Sequence, residues 1–166
     1  MATAEHRSLL LGQYMPYQMV NLAKRVSDAC NTKYGEPFGI SIAEWRVLAQ
    51  LGQHAETTSQ GLGEITFMDK SRVSRALKQL EDKKYLSRRA DPDDNRASFL
   101  SLTSEGQQLY AKLVPLALAW EAEFLSALDI TEYRDLLSIL SKLENQLGKM
   151  EGDVAGDNSM GTRHGH

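Results

Sequence analysis

A run of hydroxyl and cationic side chains just before the middle of the chain has the chemistry of a surface that binds nucleic acid. Serine, arginine and lysine are residue types that contact phosphates and base edges. The run contains Ser71, Arg72, Ser74, Arg75 and Lys78. From Lys70 to Arg89 the chain has eight Lys/Arg against two acids, whereas the 166-residue chain as a whole has a net charge of −3. The positive charge is therefore local, and nucleic acid would bind this segment rather than the protein at large.

A helix from Lys70 to Lys84 would position these side chains. Apolar residues recur there at the i, i+3, i+4 and i+7 spacing that places them on one face of a helix. They are Val73, Ala76, Leu77 and Leu80. Asp69 precedes the helix as an N-cap, because its carboxylate can accept a hydrogen bond from the first unpaired amides. The polar residues then lie on the opposite face and its flanks, although an ordinary solvated helix face would show the same pattern.

Two short runs with β-strand character, 85–88 and 98–102, follow the helix and flank a turn at 91–96. The turn has proline, aspartate and asparagine, which favour tight turns. A helix followed by such a hairpin is typical of a winged helix-turn-helix, in which the helix enters the major groove and Arg96 at the hairpin tip reaches a minor groove. A plain surface hairpin is the alternative for this segment taken by itself.

A shorter helix ahead of the turn would complete the helix-turn-helix. Thr57 or Thr58 caps it, and it continues through Leu62 and Ile65, with a turn before Asp69. Thr58 and Ser59 stand at its N-terminus, where backbone amides and hydroxyls favour a phosphate. Simple capping explains these hydroxyls equally well.

The segments Met68–Gly106 and Phe38–Leu48 resemble the multiple-antibiotic-resistance regulator (MarR) family of bacterial repressors, and the similarity covers about residues 8–147. The resemblance implies a mainly α fold with a small β-hairpin wing, a winged helix-turn-helix with a helical dimerisation layer. It also implies that Arg96 touches DNA while Asp94 steadies it. The implied function is sequence-specific regulation of transcription on double-stranded DNA, as a repressor that a small effector releases.

The chain is predicted to form one MarR-type unit over 8–147. Within it, the DNA-binding lobe spans about 41–102, and dimerisation helices span about 8–34 and 103–147. The segment 148–166 is rich in Gly and Asp with almost nothing to bury, which predicts a disordered tail.

Capping residues and apolar stripes support the helices of this layout. Ser41 with Glu44 forms a capping box, and Thr103 and Thr131 cap the two last helices. The first helix is apolar on two sides and the last has a leucine stripe over 136–147, so both need a second partner. We expect a homodimer that presents two recognition helices to a palindromic operator.

The sequence contains no catalytic constellation or metal-ligand spacing, so no enzymatic activity, cofactor or metal is expected. A protein-interaction module that does not bind DNA is the remaining alternative. No segment approaches the length of an apolar membrane span and the N-terminus has no signal-peptide pattern. A single cysteine, Cys30, is typical of a reducing compartment, and a cytoplasmic location is expected.

An effector pocket follows from the resemblance, since the family often binds aromatic carboxylates or phenols between the dimerisation helices and the DNA-binding lobe. The candidates are Tyr14, Tyr17 and Trp45, whose rings could sandwich an aromatic group, and Arg46, which could pair with a carboxylate. Each ring could equally be a core residue. Other family members sense peroxides through a cysteine, so a redox regulator that uses Cys30 is a second alternative, against an inert, buried thiol.

Overall fold

The computed structural model describes residues 9–54, 56–90 and 98–160. They form six α-helices and three short strands, and the chain divides into two compact units, residues 1–120 and 121–166. The helices are α1 (Met15–Cys30), α2 (Ile42–Gln53), α3 (Ser59–Thr66), α4 (Lys70–Asp82), α5 (Ser104–Leu125) and α6 (Ile130–Met160). The strands are β1 (Thr57–Thr58), β2 (Leu86–Ala90) and β3 (Ser98–Leu102). The mainly α winged helix-turn-helix fold predicted from the sequence is confirmed. No helix within the described ranges combines the length and the apolarity that crossing a bilayer would need.

Helix α1 begins at Met15 with Pro16 in its first turn, where a missing amide hydrogen costs nothing. The chain then passes through a wider helical turn, Asn31–Gly35, and a tight one, Glu36–Phe38. Gly39 ends the segment with φ +66°, a conformation that glycine adopts without strain. Helix α2 starts three residues later, so this glycine turns the chain from the α1 segment into α2.

The core of the first unit lies between α2, α3, α4, the small sheet and the first half of α5. The α4 residues predicted to face it are all buried: Val73, Ala76, Leu77 and Leu80. They pack with Val47, Leu48 and Leu51 of α2, Leu62 of α3, Leu86, Leu100 and Leu102 of the sheet, and Leu109 and Leu113 of α5. Burying a side chain of this kind contributes about 1.5–3 kcal/mol, so the core fixes which face of α4 points outward.

The sheet has three antiparallel strands in the order β1-β3-β2, with Arg89 opposite Phe99 and Arg88 opposite Leu100. The antiparallel pairing of the two predicted strands is confirmed, whereas the predicted turn at 91–96 lies outside the described residues. Thr57 and Thr58 were predicted only as caps. Thr57 in fact pairs with Leu100 and Thr58 with Phe99. A two-residue strand has too little pattern to be recognised, and only its partner β3 makes it a strand. β2 is left at the edge of the sheet.

The second unit consists of the end of α5 and helix α6. The N-cap predicted for α6 is wrong. The N-cap of α6 is Asp129 rather than Thr131, because the Asp129 carboxylate accepts from the amides of Thr131 (2.7 Å) and Glu132 (2.9 Å). Helix α6 continues to Met160. Backbone hydrogen bonds alone can propagate a helix that has already been nucleated. The disordered tail that composition predicts over 148–166 stays a prediction, and residues 161–166 lie outside the described part of the chain.

Candidate nucleic-acid interface

The first feature of the site is the turn that joins α3 to α4, because it sets the angle at which α4 leaves the lobe. Thr58 caps α3 by accepting from the amide of Gly61 at 3.2 Å. Phe67 then adopts a left-handed conformation, φ +53°, and ends α3. Asp69 accepts from the amide of Arg72 at 2.8 Å and starts α4, as predicted. The turn itself is therefore set by the left-handed Phe67 at the end of α3 and by the Asp69 cap at the start of α4.

The outward face of α4 has the predicted composition. Ser71, Arg72, Ser74, Arg75 and Lys78 are all exposed, and Ser59 is exposed at the start of α3. Thr58 is half-buried, and its oxygen already accepts the capping bond. None of the three cations on this α4 face forms an ion pair with another residue that the structure describes. A polyanion could therefore bind these three cations without displacing a carboxylate of any described residue.

An ion pair at its C-terminus fixes α4 to α2. The Lys83 Nζ lies 2.5 Å from Glu44 Oε1 and 2.7 Å from the carbonyl oxygen of Gly39. The Glu44 carboxylate is buried and also accepts from the Ser41 amide at 2.8 Å, while its own amide donates to Ser41 Oγ at 3.3 Å. This capping box was predicted, but its link to Lys83 was not. The Lys83 side chain is 35% exposed, but its removal would leave the buried Glu44 carboxylate without a cation, so the pair helps to hold α4 in place.

Arg88 on β2 is a residue that the sequence reasoning did not include in the site. It lines a cleft of about 560 Å³ together with Ser59, Lys70 and Ser74, so it lies among the predicted contact residues. Its Nε is 2.7 Å from Glu81 Oε1 of α4. Its position in the basic segment that follows the recognition helix was the signal that could have identified it.

The side chain of Arg89, the next residue, reaches from β2 across the sheet towards β3 and β1. Its guanidinium lies 4.9 Å from the centroid of the Phe99 ring on β3 and 3.0 Å from Glu56 Oε2, just ahead of β1. One side chain therefore contacts all three strand segments. This arrangement braces the base of the predicted wing, whose tip contains Asp94 and Arg96; both of these residues lie outside the described part of the chain.

Comparison with known proteins identifies the family. The model of the MarR family matches residues 38–97, from the end of the first helical segment to the wing. A crystal structure of a MarR/EmrR family transcriptional regulator from Acinetobacter sp. ADP1 is similar over 85% of this chain and 99% of that one, with 30% sequence identity and a TM-score of 0.77. This chain belongs to the MarR family. It is a DNA-binding transcriptional regulator and not an enzyme.

Two further proteins are similar to this chain. The uncharacterized HTH-type transcriptional regulator YdgJ of Bacillus subtilis (strain 168) is 29% identical over 126 residues, which are 76% of this chain and 77% of YdgJ. The structure of a mutant MarR from E. coli complexed with operator DNA has a TM-score of 0.72 and covers 82% of this chain and 99% of its own, at 23% identity. This second likeness shows the shared fold.

The predicted effector residues of this MarR-family chain are only partly brought together. Trp45 and Arg46 line one cavity of about 360 Å³ between α2 and the α3–α4 turn. Tyr14 lines a different cavity, of about 410 Å³, at the start of α1. Tyr17 is 41% exposed on α1. The Trp45 ring also packs edge-on against Tyr34, with centroids 5.4 Å apart, and stacks near Tyr110 at 6.5 Å. Trp45 therefore has a packing role whether or not a ligand binds.

Cys30 lies at the end of α1, half-buried against the core. Its neighbour Tyr34 is 5% exposed, and burial raises the pKa of the Tyr34 hydroxyl well above its usual value; a hydrogen bond with Cys30 raises it further. The phenol therefore stays neutral at any physiological pH. The packing of Cys30 against the core favours a structural role for this thiol.

Proposed function

We propose that this protein is a homodimeric repressor that binds a palindromic site in double-stranded DNA and leaves it when a small aromatic or carboxylate-bearing molecule binds. It would act in the cytoplasm, where bacterial operators are accessible. The observation that carries the proposal is the outward face of α4, where three exposed cations and two serines stand opposite a fully buried apolar face.

The chemistry of this face suits duplex DNA. Long cations contact phosphates and guanine edges, and the short serines allow the helix backbone to approach the groove. Ser59 and Thr58 lie at the N-terminus of α3, where a phosphate would meet backbone amides. By the family resemblance, Arg96 of the wing would add a minor-groove contact with Asp94 holding it. The E. coli protein, which has the same fold, forms a complex with operator DNA, and this supports DNA binding by the present chain.

Dimerisation is supported by the exposed apolar side chains at both ends of the chain. On α1, Met15, Met19 and Leu22 are 39–59% exposed. On α6, Leu137, Leu140, Leu143 and Leu147 are 40–55% exposed. On each helix these apolar side chains recur every three or four positions, and an exposed apolar stripe of this kind is typical of a protein–protein interface. A second copy of the chain would cover both, and its two-fold symmetry would present two copies of α4 to two half-sites.

The DNA-binding proposal is tested by selecting bound sequences from a random duplex pool with the purified full-length chain. We expect recovery of a palindromic motif whose half-sites are about 10 base pairs apart, one helical turn. Recovery of random sequence with no enriched motif would contradict sequence-specific binding, whereas an enriched motif without two-fold symmetry would contradict only the dimeric architecture.

The effector proposal rests on Arg46, an exposed guanidinium that lines a cavity together with the Trp45 indole. We expect at least one member of a panel of phenolic acids to raise the melting temperature and to weaken operator binding by about 1–3 kcal/mol, a typical coupling energy. Arg46→Ala should abolish both effects and leave operator binding without ligand unchanged. Arg46→Lys is the matched control, since it keeps the charge but not the bidentate geometry.

Two outcomes would count against the effector proposal. If no compound changes either the melting temperature or the operator affinity, the effector class is wrong. If a compound acts equally on the wild type and on Arg46→Ala, the site is elsewhere.

A further inference from the structure

Glu81 and Arg88 form an ion pair within the surface assigned to DNA. The Arg88 Nε lies 2.7 Å from Glu81 Oε1, and the two side chains are 41% and 32% exposed. The pair is therefore accessible to solvent and could exchange partners. Its members belong to different elements, α4 and the edge strand β2.

The surroundings of Arg88 place it at the contact surface rather than behind it. The cleft that it lines also contains Ser59 and Lys70 from the N-terminal ends of α3 and α4, and Ser74 from the exposed face of α4. A DNA backbone that followed Ser59 and Ser74 would therefore come within reach of a guanidinium. Because β2 is an edge strand, no further strand shields this side of Arg88 among the described residues.

Glu81 has the opposite charge to the cations of this face, and Glu64 of α3 is a second acid that lines the cleft. Glu81 follows Lys78 by three residues and Ser74 by seven, so all three lie on the same side of α4. Asp82, the other acid of the segment, is exposed and forms no ion pair with any described residue. Of the two carboxylates on α4, Glu81 alone holds a cation of the contact surface.

We propose that Arg88 contacts the DNA backbone, and that Glu81 attenuates DNA affinity by holding Arg88 until a phosphate displaces it. The inference rests on the proposed DNA binding and adds a residue pair to it. A phosphate contact carries no sequence information, so the pair sets how tightly every duplex binds and not which one is chosen. The cost of exchange is the strength of one exposed ion pair, a factor of about 1.5–5 in the equilibrium constant.

The test is a double-substitution cycle on the full chain, with the selected operator and a random duplex at several salt concentrations. Glu81→Gln should tighten both duplexes by about 1.5–5-fold, because Arg88 no longer has to leave a carboxylate. Arg88→Ala should weaken both alike and lower the slope of log affinity against log salt by about 0.9, the value for one phosphate. When Arg88 has already been replaced by alanine, adding Glu81→Gln should change the DNA affinity no more than the control substitution Asp82→Asn does.

Asp82→Asn is the matched control, since it removes one negative charge from the neighbouring position of the same helix. It reports the general effect of charge, so only an effect of Glu81→Gln beyond it belongs to the ion pair. Melting temperatures of all variants reveal any loss of folding, and Arg88→Lys, which keeps a cation on β2, should retain the salt slope.

The outcomes separate this inference from the function on which it rests. If the wild type binds no duplex, the proposed function fails. If the wild type binds but Glu81→Gln binds equally well or more weakly while remaining folded, the attenuation is overturned. An Arg88→Ala variant with unchanged affinity and salt slope would overturn the phosphate contact.

Discussion

Arginines with the same charge have different roles because their neighbours differ. Arg75 is exposed on α4 and has no ion pair among the described residues, so it can meet a base edge directly. Arg88 is held by Glu81, and Arg89 is held by both Glu56 and the Phe99 ring. We therefore propose base recognition for Arg75 and a backbone contact for Arg88, whereas Arg89 braces the strands.

The assignment for Arg75 gives a prediction at the scale of one residue. Arg75→Ala should weaken operator binding by about 1–3 kcal/mol and random-duplex binding much less, because a bidentate contact with guanine is lost. Arg75→Lys is the control: it should retain the affinity for random duplex but lose most of the discrimination, since lysine cannot form the planar fork. Titration of both duplexes by fluorescence anisotropy measures the ratio. Equal losses on the two duplexes would place Arg75 on phosphate instead.

Among the elements, α4 is the one that the rest of the lobe positions. Asp69 starts it, Lys83 ties its C-terminal end to Glu44, and Lys84 adopts a left-handed conformation, φ +63°, just beyond it. The amide of Tyr85 then donates to the carbonyl oxygen of Leu80 at 2.9 Å, which closes the helix end. Tyr85 lies directly against the start of α5, so the end of α4 and the start of α5 form one junction.

Alanine substitutions at two glycines test this junction. Gly106 lies in the junction, and Gly63 in α3 serves as the comparison. A Cβ on Gly106, in the first turn of α5, would lie 2.0 Å from the carbonyl oxygen of Tyr85, so backbone would have to move. Gly106→Ala should therefore destabilise the protein by about 1–3 kcal/mol or more and weaken operator binding.

At Gly63 in α3 the nearest atoms would be 3.6 and 3.9 Å away, which is ordinary contact. Gly63→Ala should instead stabilise α3 by up to about 1 kcal/mol. Urea unfolding measures both; a neutral Gly106→Ala would show that α5 can shift freely.

At the scale of the whole molecule, the exposed apolar residues decide the expected assembly. The leucines of α6 lie about half exposed, and a single chain leaves them in water. Burial of apolar surface contributes roughly 25 cal/mol per Å², which favours association over a solvated monomer. The operator affinity would then depend on dimerisation, because a dimer engages two half-sites at once.

Leu143→Glu tests this assembly. The wild type should sediment at about twice 18.5 kDa, whereas Leu143→Glu should sediment near 18.5 kDa and lose most of its affinity for the full palindrome. Its affinity for an isolated half-site should change little. Lys142→Glu adds the same carboxylate at the neighbouring exposed position and should leave the dimer intact. A wild type that sediments as a monomer and still binds the palindrome tightly would contradict the dimeric architecture.

The sequence by itself determined the features that act within one or two helical turns. The spacing of Val73, Ala76, Leu77 and Leu80 predicted which side of α4 is buried, and hence which side is exposed. The caps at Ser41, Asp69 and Thr103 were also identified correctly. These features are readable because each depends on residues at most seven positions apart, whose geometry the helix fixes.

Only the tertiary structure decided which charges meet. Lys83 and Glu44, and Arg89 and Glu56, are far apart in sequence, and each pair depends on the path of the chain between its members. The same holds for Thr57 and Thr58, which form a strand only because β3 lies beside them. The tertiary structure also places Tyr14 and Trp45 in different cavities, although the sequence had grouped them by residue type. Local hydrogen-bond geometry and helical period leave such pairings open, because they arise when the core packs and brings distant segments together.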